Sequence, residues 1–248
     1  VSTGSLEKIN HLLEKPKFHF FQDSILNASL VDMLVEKCDL IFHFAAVVGV
    51  ELYLTNPKKV IDINIDGTKI IFESAHRHHK RIFLASTSEV YGKNPHIPWK
   101  EDADRILGPT TKDRWVYSST KALNEHLALA YSNFHKLPVV IFRFFNAYGP
   151  RIDEPGSGRV VSIFIEQALL NNPITIIGDG SQTRCFTYIE DVIKMIMKAV
   201  ETSDSNGEIF NVGTNQETTI LRFAEMVKKI SGSSSEIEHV KETPVYTK

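Results

Sequence analysis

The sequence has few cysteines and no apolar run long enough to cross a membrane. Cys38 and Cys185 lie far apart in the 248 residues. Two isolated cysteines indicate a reducing compartment without a disulfide framework, so we expect a cytoplasmic protein. The longest apolar run, residues 40–50, contains His43 and is too short to span a bilayer. The sequence therefore predicts no membrane partner.

The sequence also lacks an excess of charge of one sign. Its 28 Lys and Arg residues nearly balance 30 Asp and Glu residues, which gives a formal net charge of −2 at pH 7. Without a strong basic field, the chain is not expected to bind nucleic acid. The histidines and basic residues of the run His76–Arg81 lie at a predicted helix C-terminus, where cations are stabilised. This position favours a solvated helix end, and we predict no metal.

Short apolar runs alternate with amphipathic segments along the chain. The run 39–46 is nearly continuous in apolar residues, as expected for a parallel strand covered on both faces, and His43 is expected to pack within it. Further strands are predicted at residues 18–21, 81–86, 137–144 and 208–213. Helices are predicted at residues 29–37, 56–79, 117–131, 159–168, 188–200 and 219–230. This alternation predicts an α/β fold.

One predicted helix carries a possible acid–base pair. Tyr117 and Lys121 are four residues apart, so they lie on one face of the helix about one turn apart. A free phenol has a pKa of ~10, which is too high for a base at neutral pH. A nearby ammonium favours the phenolate and lowers that pKa, so the spacing favours a tyrosine base with a lysine partner. By itself, the spacing also fits an ordinary helix.

The predicted strand at residues 81–86 ends in a turn that is rich in hydroxyl groups. Ser86, Thr87, Ser88 and Glu89 occupy consecutive positions there. The carboxyl end of a parallel strand is where an open α/β sheet places its ligand site. We therefore expect this turn and the helix of Tyr117 to face one cleft.

Together, the turn Ser86–Gly92 and the Tyr-x-x-x-Lys helix of Tyr117 and Lys121 resemble the extended short-chain dehydrogenase/reductase family, in its nucleotide-sugar epimerase, dehydratase and decarboxylase branch. The resemblance implies a Rossmann-like, doubly wound parallel sheet with a smaller C-terminal substrate-binding lobe. It implies an NAD-binding domain at residues 1–147 and a mainly substrate-binding lobe at residues 148–248, with some segments returning to the first domain. It also implies NAD, a UDP-sugar substrate and a homodimer through two helices of each subunit.

The resemblance assigns a catalytic set and a cofactor site. The catalytic residues are Thr87, Ser88, Glu89, Tyr117 and Lys121. Tyr117 and Lys121 also belong to the cofactor site, whose other members are Asp23, Ser24, Ala45, Ala46, Asn64, Ser86 and Phe144. Asp23 fits either a contact with the cofactor's adenine or a turn or N-cap position. Asn64, in Asn-x-x-Gly-Thr, is expected to brace the central strands and the active-site turn.

The expected substrate contacts are Thr87, Asn146, Arg159, Val160 and Arg184. In the family, the equivalent of Asn146 meets the substrate diphosphate; a turn residue is the alternative. Arg159 and Val160 open a helix that resembles the family's lid over the nucleotide base. Arg184 resembles an arginine that binds the diphosphate, for which the guanidinium fork is suited. A surface arginine is the alternative there.

The sequence contains no G-x-x-G-x-x-G, the glycine-rich turn that holds the pyrophosphate at the start of a dinucleotide-binding fold. The resemblance places this turn before Val1. We therefore expect the N-terminal glycine-rich βα unit to be missing, either because the sequence is truncated or because the natural protein lacks it.

Several activities fit these motifs. A 4,6-dehydratase needs an acid at the middle of the turn, where the Ser88 hydroxyl is a poor one. The segments Thr87-Ser-Glu, Arg114-Trp-x-Tyr-Ser and Arg159-Val-Val-Ser resemble decarboxylases of UDP-glucuronate. UDP-sugar 4-epimerases share most of the same motifs. The resemblance therefore implies UDP-glucuronate decarboxylation, with 4-epimerisation of UDP-glucose or UDP-glucuronate as the alternative. Dehydration and a catalytically inactive NAD-binding scaffold rank below both.

Overall fold

A computed structural model describes residues 4–152 and 159–241 of the protein. Its helices are α1 (Asn10–Leu13), α2 (Ala28–Glu36), α3 (Val50–Thr55), α4 (Pro57–Arg77), α5 (Val116–His135), α6 (Val160–Leu169), α7 (Ile189–Val200) and α8 (Ile220–Ser231). Its strands are β1 (Leu40–His43), β2 (Arg81–Thr87), β3 (Val139–Phe144), β4 (Asn146–Tyr148), β5 (Ile174–Ile177), β6 (Thr183–Tyr188), β7 (Ile209–Val212), β8 (Glu217–Thr219) and β9 (Ile237–Val240). Short 3-10 turns lie at Leu6–Ile9, Ser88–Tyr91, Asp113–Trp115 and Ser203–Ser205.

Side chains next to the helices explain where several of them begin. The Asn27 side chain accepts a hydrogen bond from the Leu30 amide at the start of α2. The Asn56 side chain accepts one from the Lys59 amide at the start of α4, where Pro57 occupies the first turn. The predicted helices correspond to α2, α4, α5, α6, α7 and α8, with small differences at their ends.

The first compact unit is built on a four-stranded parallel sheet in the order β1-β2-β3-β7. This sheet confirms the predicted α/β fold. Helices α2, α4 and α5 pack on one face of it, over a core to which the strands contribute Ile41, Ile82, Leu84, Val139 and Ile141. A phenylalanine row crosses the other face, with ring centroids of Phe42 and Phe83 4.9 Å apart, Phe83 and Phe142 6.1 Å apart, and Phe142 and Phe210 6.4 Å apart.

The first unit contains the described residues up to Phe144 together with Ile196–Val212. The second contains the described residues of 145–195 and 213–241. It has a three-stranded sheet in the order β4-β6-β8 and a parallel β5-β9 pair, packed with α6 and α8 around Phe164, Ile174 and Ile176. The predicted domain boundary after residue 147 stays a prediction.

One local prediction near the N-terminus is wrong. Residues 18–21 form no strand, because none of the described strands pairs with them, and Phe20 and Phe21 are 41% and 51% exposed. For Asp23, the alternative of a turn or N-cap position is met by a turn, since the N-cap of the next helix is Asn27. Asp23 instead accepts hydrogen bonds from the Ser24 amide at 2.6 Å and from the Asn27 side chain at 3.0 Å, so it holds the turn before the cap.

Among the described residues, no helix is both long and apolar enough to cross a membrane. The same ranges contain no group of three or more His, Cys, Asp or Glu side chains arranged to bind a metal ion. His76 lies at the end of α4, with its ring centroid 4.7 Å from that of His135 at the end of α5.

Candidate active site

Lys121 joins helix α5 to the carboxyl end of strand β2. Its side chain is buried, with the residue 2% exposed, and its ammonium donates a hydrogen bond to the Ala85 carbonyl oxygen at 2.8 Å. The ammonium lies 6.0 Å from the centroid of the Tyr117 ring, one turn earlier on the helix. Tyr117 is itself buried, at 7% exposure. The helical spacing therefore brings a phenol and an ammonium together next to the end of the strand.

The turn after β2 is fastened to the same helix. The Ser118 hydroxyl donates a hydrogen bond to the Glu89 carbonyl oxygen at 2.7 Å. Within the turn, the Thr87 hydroxyl oxygen accepts one from the Glu89 amide at 3.2 Å. Thr87 thus lies between Ala85 and Glu89, two residues whose carbonyl groups are both bound by α5 side chains. This fixes the predicted catalytic hydroxyl relative to the first turns of α5.

Aromatic stacking and an ion pair complete the surroundings of Tyr117. The Tyr53 ring stacks on the Tyr117 ring, with centroids 5.9 Å apart and planes inclined by 11°. The Arg114 guanidinium lies 5.8 Å from the centroid of the Tyr53 ring and forms an ion pair with Glu89 at 2.6 Å. Glu89, a predicted catalytic residue, therefore has a cationic partner.

Burial lowers the pKa of two basic groups close to the carboxyl ends of β1 and β2, Lys121 and His43. Burial lowers the pKa of Lys121 from 10.5 to about 8, although the Glu125 carboxylate acts in the opposite direction. Burial lowers the pKa of His43 to about 4, and the Lys121 charge acts in the same direction. The His43 ring nitrogen lies 2.9 Å from the Thr68 hydroxyl, in the buried interior. His43 is thus a packed strand residue, as predicted.

Asn64 connects the loop after β1 to helix α5. The residue is 2% exposed, and its amide oxygen accepts a hydrogen bond from the Val47 amide at 2.7 Å. Its amide nitrogen donates to the Val47 carbonyl at 3.1 Å and contacts the Thr120 hydroxyl at 3.4 Å. Both polar groups of residue 47 are therefore paired by one side chain, which holds the loop that contains Ala45 and Ala46.

The other predicted cofactor residues have different surroundings. Ala45 is exposed and Ala46 is half-buried beside the Tyr53 and Tyr117 rings. Ser86 is buried and donates its hydroxyl proton to Glu125. The Phe144 ring lies 5.6 Å from that of Phe44. Asp23 and Ser24 are exposed in a separate turn, and their side chains bond to neighbours in that turn.

The predicted substrate residues other than Thr87 belong to the second unit. Asn146 is exposed on β4, where its amide contacts the Cys185 carbonyl oxygen at 3.4 Å. Arg184 is exposed on β6 and donates to the carbonyl oxygen of residue 183 at 2.7 Å. Arg159 is the N-cap residue of α6, and Val160 packs against the core of this unit. Their roles stay predictions.

Sequence reasoning missed several polar residues beneath the turn. Glu125 and Arg143 form a buried ion pair there, and Tyr91 bonds to Arg143. Glu125 lies four residues after Lys121, the same spacing that relates Lys121 to Tyr117. That spacing is a signal in the sequence. No comparable signal marks Tyr53, which reaches Tyr117 from a different helix.

Comparison with known proteins identifies the family. Residues 2–213 match the NAD dependent epimerase/dehydratase family, so the chain belongs to it. The sequence is 41% identical over 223 residues to UDP-N-acetyl-alpha-D-glucosaminuronate decarboxylase of Bacillus cytotoxicus, covering 90% of this chain and 68% of that protein. The extended short-chain dehydrogenase/reductase resemblance is thereby confirmed.

Solved structures of the same branch share the fold. UDP-glucuronic acid 4-epimerase from Bacillus cereus, in complex with UDP-glucuronic acid and NAD, superposes with a TM-score of 0.84 at 33% identity, covering 96% of this chain and 74% of that one. UDP-N-acetylglucosamine 4-epimerase from Methanobrevibacter ruminantium M1 gives a TM-score of 0.89 at 26% identity, covering 98% and 76%. The fold is thus Rossmann-like, as predicted.

The buried Lys121 predicts a pH dependence of stability. Below about pH 8 the folded and unfolded chains both bind its proton, and the cost of burying the charge is fully present. Between about pH 8 and 10.5 the unfolded chain binds more protons at this group, so its contribution to stability rises with pH. We expect the unfolding free energy of wild type relative to Lys121→Met to increase by on the order of 3 kcal/mol across this range.

Urea unfolding of both proteins at several pH values measures this difference. Titrating groups remote from residue 121 contribute equally to both proteins and cancel in the difference. The exposed Lys59 supplies the control, because Lys59→Met removes a solvated ammonium from α4. A difference between wild type and Lys121→Met that stays constant with pH would contradict the burial of a charged Lys121.

Proposed function

We propose that this protein modifies a nucleotide sugar with NAD through a transient 4-keto sugar, and that its reaction is the decarboxylation of UDP-glucuronate. One observation carries the proposal: the buried Lys121 ammonium beside the Tyr117 ring, bonded to the strand end that precedes Thr87. This arrangement supports a phenolate base. The similarity to a decarboxylase of a related UDP-uronate supports the substrate class.

The residues fit NAD. An ammonium has three donors, and within the described chain the Lys121 ammonium has a single hydrogen-bond acceptor, the Ala85 carbonyl. Its remaining donors suit ribose hydroxyls, and the small side chains of Ala45 and Ala46 leave room for a ligand near the backbone. The residues that we propose to hold NAD are Asp23, Ser24, Ala45, Ala46, Asn64, Ser86, Tyr117, Lys121 and Phe144. When bound, NAD accepts a hydride from C4 of the sugar and returns it later.

Tyr117 is proposed as the base of the oxidation step. Its phenolate oxygen takes the proton of the sugar C4 hydroxyl, and the Thr87 hydroxyl binds the same oxygen as it becomes a ketone. The Lys121 ammonium favours the phenolate by its positive charge. With a pKa of about 8, Lys121 is mostly protonated at neutral pH and can supply that charge.

The 4-keto group of the oxidised sugar makes the loss of carbon dioxide feasible. A 6-carboxylate is then β to a ketone, so its C5–C6 bond breaks to release carbon dioxide and leaves an enolate, which takes a proton at C5. This step needs no strong acid. The hydroxyl of Ser88 is a poor acid, and Glu89 is in an ion pair with Arg114. These features favour decarboxylation over loss of the C6 hydroxyl.

A 4-epimerase is the second candidate. The chain is 33% identical to an epimerase solved with UDP-glucuronic acid and NAD. Epimerisation requires the same oxidation by Tyr117, Thr87 and Lys121, and then rotation of the keto sugar and hydride return to the other face. The two reactions therefore differ in product and not in the first step.

Product analysis with UDP-glucuronate and NAD tests the proposal. We expect carbon dioxide and a UDP-pentose in equal amounts. Tyr117→Phe removes the base, so its kcat should fall by about 10²- to 10⁴-fold. Formation of UDP-galacturonate without carbon dioxide would contradict decarboxylation and support 4-epimerisation instead. Turnover by Tyr117→Phe at the wild-type rate would remove Tyr117 from the mechanism.

We propose that Thr87, Asn146, Arg159, Val160 and Arg184 contact the substrate, with Asn146 and Arg184 at its diphosphate. Loss of charge-assisted hydrogen bonds to phosphate costs about 1.5–3 kcal/mol, so Arg184→Ala should raise the KM for UDP-glucuronate roughly 10- to 100-fold with little change in kcat. Arg222, an exposed arginine of the same unit paired with Glu225 at 3.2 Å, gives the matched control. Equal KM values for Arg184→Ala and Arg222→Ala would refute the assignment.

We also propose a homodimer through α4 and α5. Apolar side chains on these helices are exposed, with Ile61 on α4 at 45% and Leu123 on α5 at 53%. Sedimentation equilibrium should give twice the chain mass, and Leu123→Lys should shift the protein toward monomer because it places a charge in the interface. A monomeric wild-type protein at micromolar concentration would disprove the dimer.

A further inference from the structure

A buried ion pair lies beneath the turn that carries Thr87. The Glu125 carboxylate on α5 accepts hydrogen bonds from the Arg143 guanidinium of β3, at 3.0 Å from Nε and 2.7 Å from Nη2. Both side chains are only 6% exposed. Buried ion pairs are weak evidence for stability, because desolvation cancels much of their attraction and apolar replacements often serve as well. This pair therefore needs an explanation other than stability.

Lys121 and Glu125, on successive turns of α5, form hydrogen bonds with successive residues of strand β2. The Lys121 ammonium binds the carbonyl oxygen of Ala85 at 2.8 Å. One turn later, the Glu125 carboxylate accepts the hydroxyl proton of Ser86. The next residue of the chain is Thr87. Two bonds at consecutive positions fix the helix along the strand, and so fix Tyr117 and Lys121 relative to the Thr87 hydroxyl.

Arg143 holds the Glu125 carboxylate in place. The remaining guanidinium nitrogen, Nη1, donates to the Tyr91 hydroxyl at 2.8 Å and to the Glu101 carbonyl oxygen at 2.8 Å. The Tyr91 hydroxyl in turn donates to the Asn211 side chain at 2.7 Å. Arg143 is thus anchored to the 3-10 turn after β2 and to the loop before α5, so the carboxylate it binds has little freedom to move.

We propose that Glu125, held by Arg143, is a positioning residue that fixes Lys121 and Tyr117 against Thr87 and supplies the negative charge that keeps the Lys121 ammonium charged. The proposal rests on the catalytic roles proposed above for those three residues. The charged and titratable groups around Lys121 are His43 of β1, Tyr117 and Glu125 of α5, and Arg143 of β3 behind Glu125. Within the described ranges, Glu125 is the carboxylate of this set, and its charge acts to raise the pKa of Lys121.

The effect of the Glu125 charge on the protonation of Lys121, called here the charge role, is tested on the protein without substrate. Lysine ε-carbon labelling and NMR titration track Lys121, whose signal is identified by its absence in Lys121→Met. Glu125→Gln keeps the size of the side chain but removes its charge, so the Lys121 midpoint should move to lower pH by about one unit. The exposed Glu73 on α4 provides the control, because Glu73→Gln removes a solvated carboxylate and should leave the midpoint unchanged. An unchanged midpoint in Glu125→Gln would overturn the charge role.

The positioning of α5 along β2 by Glu125, called here the register role, is tested by two variants, Glu125→Asp and Ser86→Ala. Glu125→Asp keeps the charge but draws the carboxylate back from Ser86, so the Lys121 midpoint should stay near that of wild type. Its kcat on UDP-glucuronate should fall by about 10-fold or more while KM changes less than about twofold. Ser86→Ala, which removes the same hydrogen bond, should behave alike when NAD is saturating. Wild-type kcat in both variants would overturn the register role.

The pH profile separates positioning from a general loss of folded protein. In Glu125→Gln the alkaline limb of kcat should move to lower pH together with the Lys121 midpoint, whereas partial unfolding lowers activity without moving the limb. Should Glu125→Gln fail to fold, Glu125→Asp still decides whether Glu125 positions α5. Inactivity of wild type on UDP-glucuronate would count against the proposed function, while the NMR titration would still decide whether Glu125 sets the charge of Lys121.

Discussion

The hydrogen bond from the Lys121 ammonium to the Ala85 carbonyl is the contact on which the candidate site depends. A lysine buried in the interior loses its hydration, and only a few well-placed acceptors and charges replace it. Here the acceptor is a main-chain oxygen at the end of a parallel strand. The same hydrogen bond therefore replaces part of the lost hydration of the ammonium and attaches α5 to the sheet. This docking sets the position of Tyr117, because Tyr117 lies one helical turn before Lys121.

The parallel sheet explains why the docking occurs at this edge. Strands β2 and β3 end at the same level, where Thr87 pairs with Phe144, and β1 ends beside Leu84. The chain leaves β1 and β2 at their carboxyl ends, where side chains of the helices hold the following segments. Asn64 holds the loop after β1 through both polar groups of Val47. Ser118 and Lys121 hold the end of β2 and its turn. The site is thus a set of strand ends fixed by helix side chains, which keep its hydroxyl and phenol in place.

The sequence is informative about which residues lie together wherever those residues are close in the chain. Tyr117 and Lys121 are one turn apart, and the Thr87 turn comes directly after its strand, so pattern and spacing predict their neighbourhood. Their catalytic roles come from the family resemblance and stay predictions. The Glu125–Arg143 pair joins residues 18 positions apart on a helix and a strand, and its existence depends on how those elements pack. Tyr53 and Tyr117 likewise meet only after folding. The predicted strand at residues 18–21 failed for a related reason, because a strand is defined by a partner that local patterning does not contain.

The buried charges of Arg143, Glu125 and Lys121 together set a pKa for Lys121 that suits acid–base catalysis. Arg143 is anchored by Tyr91 and Glu101 and fixes Glu125, while Glu125 opposes the effect of burial on Lys121. A deeper site without the carboxylate would lower the pKa of Lys121 further, so less of it would carry the charge that favours a phenolate. A fully solvated site would keep Lys121 charged, but water would screen that charge from Tyr117. A pKa of about 8 lies between these limits, so the lysine stays cationic while its field still acts on the neighbouring phenol.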